Sequence, residues 1–165
     1  MRQSDNTTPL KASDYDEKIR ETIPFYDYFL EETIDVVRTL KASVEVWLDT
    51  GCGTGTLVTK AFPYFPNTQF ILADPSESML HQAKQSLNTI PMYRLQFLDP
   101  IGTENLLSSD IQIRQPEVIT AIQSHHYMGK SARRAATQAC YKLLAQGGVY
   151  ITFENIHQKS KKEPP

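Results

Sequence analysis

Apolar positions along this chain follow two different periods, one typical of amphipathic helices and one typical of buried strands. Beginning near Pro24, one helical stripe contains Phe29, Thr33, Val36 and Leu40, with Tyr26, Leu30 and Val37 beside it. This spacing predicts a helix of about four turns with Pro24 in its first turn. Three further helices are predicted: 56–62, ended by two prolines; 76 to about 88, capped by Ser76; and about 131–145, ended by Gly147 and Gly148.

Five short apolar runs between these helices predict strands, at residues 44–48, 70–73, 93–98, 118–122 and 149–153. Strands joined by helical crossovers form a parallel sheet with right-handed connections and helices on both faces. The sequence therefore predicts an α/β doubly wound fold. In such folds the ligand lies beyond the carboxyl ends of the strands, so we expect Asp49, Asp74, Asp99 and Gln123 to line one crevice.

The composition indicates one globular domain over residues 1–165, with flexible ends at 1–14 and 157–165. Basic and acidic residues number 17 and 19, so no positive field attracts nucleic acid, which we do not expect as a partner. No apolar run approaches the roughly 18 residues of a membrane helix, and the first residues are too polar for an export signal. We expect a cytoplasmic protein with reduced cysteines and no metal.

A glycine-rich loop follows the first predicted strand. Its glycines stand at positions 51, 53 and 55, and Asp49 precedes them. A dinucleotide-binding loop would also have glycine or alanine where this chain has Thr56. A carboxylate in front of the loop repels a phosphate and suits a ligand with an ammonium group. S-adenosylmethionine carries an ammonium and a sulfonium and no phosphate, so it fits this loop better than a dinucleotide does.

Two further aspartates agree with an adenosine ligand. Asp74 ends the second strand 19 residues after Gly55, where an acid can accept hydrogen bonds from both ribose hydroxyls. Asp99, at the end of the third strand, is expected to accept from the exocyclic amine of adenine, and Met79 to pack on a ring face. Three acids at successive strand ends behind a glycine loop favour a binding site over three separate structural roles.

Four segments together resemble the class I S-adenosylmethionine-dependent methyltransferases: VWLDTGCGTGTL, ILADPSESMLHQAK, QFLD and LLAQGGVYITFEN. The resemblance covers about residues 44–154 and implies a Rossmann-like sheet of about five strands in the order 3-2-1-4-5, with an amino-terminal lid helix. It also implies that Asp49, Gly51, Cys52 and Gly53 surround the methionine moiety, that Asp74 binds the ribose and Asp99 the adenine. The predicted cofactor site is completed by Gly55, Pro75, Met79, Gln123 and, from the lid, Tyr15.

The segment after the fourth strand is expected to face the transferred methyl group, and it contains His125 and His126. Relatives that methylate nucleic acid bases usually carry an Asn/Asp-Pro-Pro-aromatic motif here, and this chain does not, so base methylation is disfavoured. A histidine with a pKa near neutrality can remove a proton from an oxygen or nitrogen acceptor. The alternative is that both histidines only order the loop and the next helix.

Similar methyltransferases usually add an antiparallel pair of strands after the fifth, and residues 154–165 are too short and polar to supply it. We expect a shortened form of the fold, although a minimal cofactor-binding remnant is an alternative. The open edge of strand five could be covered by a partner or by a second copy in a homodimer. The leading function is methyl transfer to a small molecule with release of S-adenosylhomocysteine. The alternatives are a non-catalytic S-adenosylmethionine-binding domain and, less favoured, a nucleotide-dependent oxidoreductase.

Overall fold

The sheet has the predicted topology. The computed structural model describes residues 10–108 and 112–154. In it five parallel strands are ordered β3-β2-β1-β4-β5. They are β1 (Val46–Thr50), β2 (Gln69–Ala73), β3 (Leu95–Phe97), β4 (Val118–Ile122) and β5 (Val149–Phe153). This order is the one implied by the family resemblance. Strands β2 and β3 extend to one side of β1, and β4 and β5 extend to the other side. Such folds bind ligands at the point between β1 and β4 where the order reverses.

The central strands are buried on both faces, which explains their continuous apolar sequence. Trp47 of β1 and Phe70 of β2 pack on one face, in a core shared with four helices. The next residue of each strand, Leu48 or Ile71, points to the opposite face and packs with Cys140 of the last helix. The two-residue period of a strand thus builds two cores from one sheet.

Within the described residues, five α-helices surround this sheet: α1 (Tyr15–Thr22), α2 (Tyr26–Leu40), α3 (Thr56–Ala61), α4 (Glu77–Ser86) and α5 (Lys130–Leu143). The first four belong to the Trp47 core, and α5 covers the other face. Ser76 caps α4 as predicted, because its hydroxyl accepts a hydrogen bond from the backbone N–H of Met79 at 3.1 Å.

The amino-terminal region differs from the prediction of one helix. Phe25 has a φ of +63° and separates two helices at the turn that follows Pro24. Helix α1 could not be predicted from the apolar pattern, because it is short and mostly polar and buries only Tyr15 and Ile19. A helix of this length is marginal in isolation, so its contacts with the rest of the protein determine whether it forms.

Strand β3 is shorter than predicted, because residues Met92–Arg94 form a 3-10 turn in front of it. The side chain of Arg94 is buried there and donates to the carbonyl oxygens of Thr68, at 2.9 Å, and Phe65. These hydrogen bonds satisfy the guanidinium group and tie the turn to the segment that leads into β2.

The predicted flexible ends fall mainly on residues 1–9 and 157–165, which lie outside the described residues. Of the rest of that prediction, Ala12–Asp14 forms a 3-10 turn that leads into α1. Within 10–108 and 112–154, none of the helices is long and apolar enough to cross a membrane. β5 is the last strand of the sheet on one side, and Phe153 at its end stacks on Phe29 of α2 with ring centroids 5.5 Å apart.

Candidate functional site

A cavity of about 280 Å³ lies at the carboxyl ends of the strands. Segments that follow β1, β2, β3 and β4 supply most of its wall, and α1 and α2 cover it. The predicted site residues in its lining are Tyr15, Asp49, Gly51, Cys52, Gly53, Asp74, Pro75, Met79 and Gln123. This position, where the order of the strands reverses, is the one expected for the ligand of a doubly wound sheet.

The glycine loop brings its backbone close to β4. Gly51 has a φ of +67°, and a Cβ atom built on it would lie 2.4 Å from the Cβ of Ser124. No side chain therefore fits at position 51. Gly53 also has a positive φ, +55°, but a Cβ on it would meet no atom within 4 Å. The two glycines share the same backbone requirement and differ in the space around them, which makes them a matched pair.

We expect Gly51→Ala to destabilise the protein more than Gly53→Ala does. Both variants strain a left-handed backbone by roughly 1 to 2 kcal/mol. Gly51→Ala must in addition displace the segment that carries Ser124, a further cost of roughly 1 to 3 kcal/mol. Urea unfolding of the two variants measures the difference, and equal free energies of unfolding would contradict the close approach of the loop to Ser124.

Asp49 is buried at the end of β1, next to its strand neighbour Thr120. The hydroxyl of Thr120 donates to Oδ1 of Asp49 at 2.7 Å and accepts from the indole N–H of Trp47 at 2.9 Å. Burial raises the pKa of Asp49 to about 7, against the opposing effect of the Thr120 hydrogen bond and with a smaller contribution from Asp74. The carboxylate is thus held in place but poorly solvated, so it favours a cationic ligand.

Asp74 ends β2 and joins two backbone segments of the site. Its Oδ2 accepts from the N–H of Gly53 and its Oδ1 from the N–H of Ser76, each at 2.9 Å. The carboxylate therefore orients both the glycine loop and the start of α4. Asp74 is only 7% exposed, at the boundary between those segments and the cavity.

Two predicted cofactor residues do not reach the cavity. Asp99 is exposed and absent from the lining, because Leu98 continues the chain into the core while the next residue turns outward. Of the residues that follow β3, Gly102, Thr103 and Glu104 reach the lining instead. Gly55 is also outside the lining. Its φ is +80°, and a Cβ atom on it would lie 2.9 Å from Cδ1 of Leu87, the residue that follows α4. The geometry therefore gives no support to an adenine contact by Asp99.

The two histidines of the loop after β4 lie beside the cavity and not in its lining. His125 is 2% exposed, and its Nδ1 lies 3.2 Å from the hydroxyl of Tyr150. Burial lowers the pKa of His125, while Glu154 and Glu104 raise it by a smaller amount. The Nδ1 of His126 lies 2.8 Å from Oε2 of Glu154. These contacts favour the alternative in which both histidines order the loop, over the one in which a histidine faces the cavity as a catalytic base.

Helix α1 covers the glycine loop through a latch that sequence reasoning missed. Oδ1 of Asp16 accepts hydrogen bonds from the hydroxyls of Thr54 and Thr56, the latter at 3.0 Å. Tyr15, the neighbouring residue, lines the cavity, as does Tyr26 of α2. The latch therefore holds Tyr15 over the site, in the lid position expected for it.

We expect Asp16→Ala to loosen α1 without unfolding the domain. The variant removes both hydrogen bonds of the latch, worth roughly 1 to 2 kcal/mol for a half-exposed charged acceptor. The amides of α1 should then exchange with deuterium about fivefold to thirtyfold faster. Glu17→Ala is the control, since Glu17 is an exposed acid on the same helix. Equal exchange in the two variants would contradict the latch.

Proteins of similar sequence and similar fold identify the family of this chain. The model of the methyltransferase domain family matches residues 48–150. The chain belongs to this family. It is of the class I, S-adenosylmethionine-dependent group with a Rossmann-like fold, as the sequence motifs indicated, and S-adenosylmethionine is the cofactor of that group.

Similar proteins include both a curated relative and solved structures. The carboxy-S-adenosyl-L-methionine synthase of Nautilia profundicola is 23% identical over 151 residues, 92% of this chain and 62% of the relative. The N-methyltransferase NodS of Bradyrhizobium japonicum, in complex with S-adenosyl-L-homocysteine, shares the fold with a TM-score of 0.72, at 15% identity over 86% of this chain and 68% of NodS. An S-adenosylmethionine-dependent methyltransferase of Clostridium acetobutylicum has a TM-score of 0.66, at 26% identity over 86% of this chain and 55% of its own. The chain thus spans less than two-thirds of the curated relative.

The wall of the cavity in this methyltransferase domain is acidic. Asp49, Asp74 and Glu104 contribute carboxyl groups, and no lysine or arginine of the described residues belongs to the lining. Asp49 and Asp74 were predicted from their positions at strand ends, whereas Glu104 lies within a polar loop that has no recognisable motif. An acidic wall suits a ligand with a sulfonium and an ammonium group and disfavours one with phosphates.

Proposed function

We propose that this domain binds S-adenosylmethionine and transfers its methyl group to a small-molecule acceptor. The observation that carries the proposal is the pairing of a glycine loop with two buried acids, Asp49 and Asp74, in a cavity wall without basic residues among the described residues. A nucleotide-dependent oxidoreductase would need a phosphate-binding surface, which this wall does not offer.

The residues of the wall can be assigned to the parts of the cofactor in the order in which their strands lie in the sheet. We assign Asp49 and the glycine loop to the methionine moiety, with Asp49 facing the ammonium group. Asp74 is assigned to the ribose hydroxyls, because it follows the neighbouring strand and borders the same loop. Met79 and Pro75, beyond Asp74 in the wall, are assigned to the adenine face. Cys52 is buried within the glycine loop, and burial holds the pKa of its thiol well above the ordinary value, so it packs as a neutral group.

Bound S-adenosylmethionine supplies a methyl group that is already strongly electrophilic. The chain's own contribution is therefore orientation and exclusion of water. Tyr15 and Tyr26 cover the site from α1 and α2, and the Asp16 latch keeps α1 against the glycine loop. Because His125 and His126 do not line the cavity, we assign them to ordering of the loop after β4 and not to base catalysis.

A non-catalytic domain that binds S-adenosylmethionine or S-adenosylhomocysteine is the second candidate. It is favoured by the position of His125 and His126 outside the lining, because the described lining then contains no histidine that could act as a base. Synthesis of a carboxylated cofactor, the activity in that relative's name, is not supported by this cavity. Such a cofactor has a second carboxylate, beyond the α-carboxylate that S-adenosylmethionine itself carries, and a cation would be needed beside the transferred group, whereas the described lining contains neither lysine nor arginine.

Turnover separates the two candidates. The protein is incubated with S-adenosylmethionine carrying a labelled methyl group and a panel of small alcohols, thiols and amines, and S-adenosylhomocysteine is quantified. We expect label transfer to at least one class of acceptor, at a rate that falls in Asp74→Ala. Saturable cofactor binding without label transfer to any acceptor would favour the non-catalytic domain.

A homodimer across the edge of β5 stays a prediction, as does a cytoplasmic location. Support for the homodimer comes from Val149, Tyr150 and Ile151, which are only half-buried in an edge strand of the sheet. Sedimentation equilibrium checks it: a dimer is expected, and a monomer at micromolar concentration would contradict it.

A further inference from the structure

Three polar atoms in the wall of the cavity make no hydrogen bond within the described part of the chain. They are Oε2 of Glu104, Oε1 of Gln123 and Oγ of Ser124. Each atom is buried, although it belongs to a residue that lines an open site. Buried acceptors without partners are uncommon because they lose hydration and gain nothing in exchange. Their concentration in one wall indicates that they serve a ligand.

The three atoms lie on the β1 and β4 side of the cavity. The hydroxyl of Thr103 lies 2.5 Å from that of Thr50 at the end of β1, which brings the neighbouring Glu104 to that strand. The charge of Glu104 acts on His125, and Gln123 and Ser124 directly follow β4. Ser124 also approaches Gly51 closely. This group is therefore separate from the Asp74 end of the site, which we assigned to the ribose.

The loop that carries Gln123 is held in a strained conformation. Gln123 has a φ of +54°, and its N–H donates to the carbonyl of Phe153 at 2.7 Å. Oε1 and Oε2 of Glu154 accept from the backbone N–H groups of His125 and His126, each at 3.0 Å. Arg133 binds the same loop from α5, donating to the carbonyl of His125 at 3.0 Å. A left-handed glutamine kept in place from two sides indicates a side chain positioned for function.

The hydrogen-bonding capacity of these three atoms indicates which kind of methyl acceptor fits the site. A carboxylate and an amide oxygen accept hydrogen bonds only, and the serine hydroxyl can do either. Resting on the proposed methyl transfer, we propose that the methyl acceptor is a small amine, received by Glu104 and Gln123 through its N–H groups. Beside Glu104 the acidic wall attracts the ammonium form of the methyl acceptor and repels an acceptor whose reacting group is a carboxylate or a phosphate.

Methyl transfer to an amine held in this position requires the ammonium group to lose one proton. The ammonium group first passes a proton to the Glu104 carboxylate, which frees the lone pair of the nitrogen. The nitrogen then forms a bond to the methyl carbon, and the carbon–sulfur bond breaks with its electron pair staying on sulfur. The products are the methylated ammonium and S-adenosylhomocysteine, and Glu104 returns the proton to solvent.

Three matched probes test the proposal: benzylamine, benzyl alcohol and benzoate share one ring and differ in the polar group. Each is titrated into the complex of the full chain with S-adenosylhomocysteine, and binding is followed by NMR. We expect benzylamine to bind at least about fivefold more tightly than benzyl alcohol, and benzoate more weakly than both. In Glu104→Gln, which keeps the shape of the side chain, the preference for the amine should fall below about twofold.

Two controls show whether the amine preference depends on Glu104 itself. Glu32→Gln removes an exposed acid of α2 that lies outside the cavity, and it should keep the full amine preference. Retention of S-adenosylhomocysteine affinity in Glu104→Gln shows that this variant is folded. Equal binding of the alcohol or the benzoate, or an amine preference unchanged in Glu104→Gln, would overturn the proposal. Failure of the wild-type chain to bind S-adenosylhomocysteine would instead contradict the proposed function.

Discussion

Asp49→Asn is expected to resist unfolding better than the wild-type chain at about pH 8 and to bind S-adenosylhomocysteine at least about tenfold more weakly. The gain in stability follows from burial, which raises the pKa of Asp49 from 3.8 to about 7. In the folded protein the charged form is therefore disfavoured. The stability contributed by the protonated carboxyl is fully present below pH 3.8 and is lost as the pH rises through about 7. Asparagine has no charge to bury, so above that pH it gains roughly 2 to 4 kcal/mol.

The loss of affinity in Asp49→Asn follows from the missing negative charge. The ammonium group of the ligand needs a negative partner, and Asp49 is the buried acid that borders the glycine loop from β1. The amide of asparagine still accepts the hydrogen bond from Thr120, so the local structure is preserved. For the same reason the wild-type chain should bind more weakly as the pH falls below about 7, where Asp49 takes up its proton.

Urea unfolding and titration calorimetry near pH 5 and near pH 8 test both effects of Asp49→Asn. The stability difference between variant and wild type should grow with pH, and the affinity of the wild-type chain should rise over the same interval. A variant with wild-type affinity near pH 8 would sink the assignment of Asp49 to the ammonium group. A stability difference that does not change with pH would contradict the raised pKa.

Asp74→Ala is expected to weaken S-adenosylhomocysteine binding by roughly 1 to 3 kcal/mol, the range for lost hydrogen bonds to a charged group. The substitution removes the proposed acceptor of the ribose hydroxyls. It also frees the N–H groups of Gly53 and Ser76, so the glycine loop becomes less well ordered. Both effects lower affinity, which is read by calorimetry.

Asp74→Asn separates the two contributions. Its amide oxygen can still accept from one of the two backbone N–H groups, but the charge that strengthens a ribose contact is gone. We expect an affinity between those of the wild type and Asp74→Ala. A folded Asp74→Ala variant, judged by its circular dichroism and urea transition, that binds with unchanged affinity would refute the ribose assignment.

The sheet and the glycine-loop side of the site could be predicted because they depend on short-range patterns. A buried parallel strand is an uninterrupted apolar run, and the residue that ends it must lie at the edge of the sheet. This argument correctly brought Asp49, Asp74 and Gln123 to one cavity. It failed for Asp99, because β3 ends early and Leu98 rather than Asp99 faces the protein interior. A shift of one residue in an extended segment reverses the direction of a side chain.

The features that the sequence did not reveal depend on contacts between distant segments. Helix α1 is polar and short, and the Asp16 contacts with Thr54 and Thr56 join it to residues about 40 positions away. The histidines after β4 were expected to face the methyl group, but the direction of their side chains depends on Tyr150 and Glu154. Spacing along the chain contains no information about such partners.

The most direct test of the account is calorimetric titration of the purified chain with S-adenosylhomocysteine, with NADH as the control ligand. The acidic wall and glycine loop predict saturable binding of S-adenosylhomocysteine near neutral pH and no binding of NADH. Binding of NADH, or the failure of a folded chain to bind S-adenosylhomocysteine, would contradict the assignment of this cavity to S-adenosylmethionine.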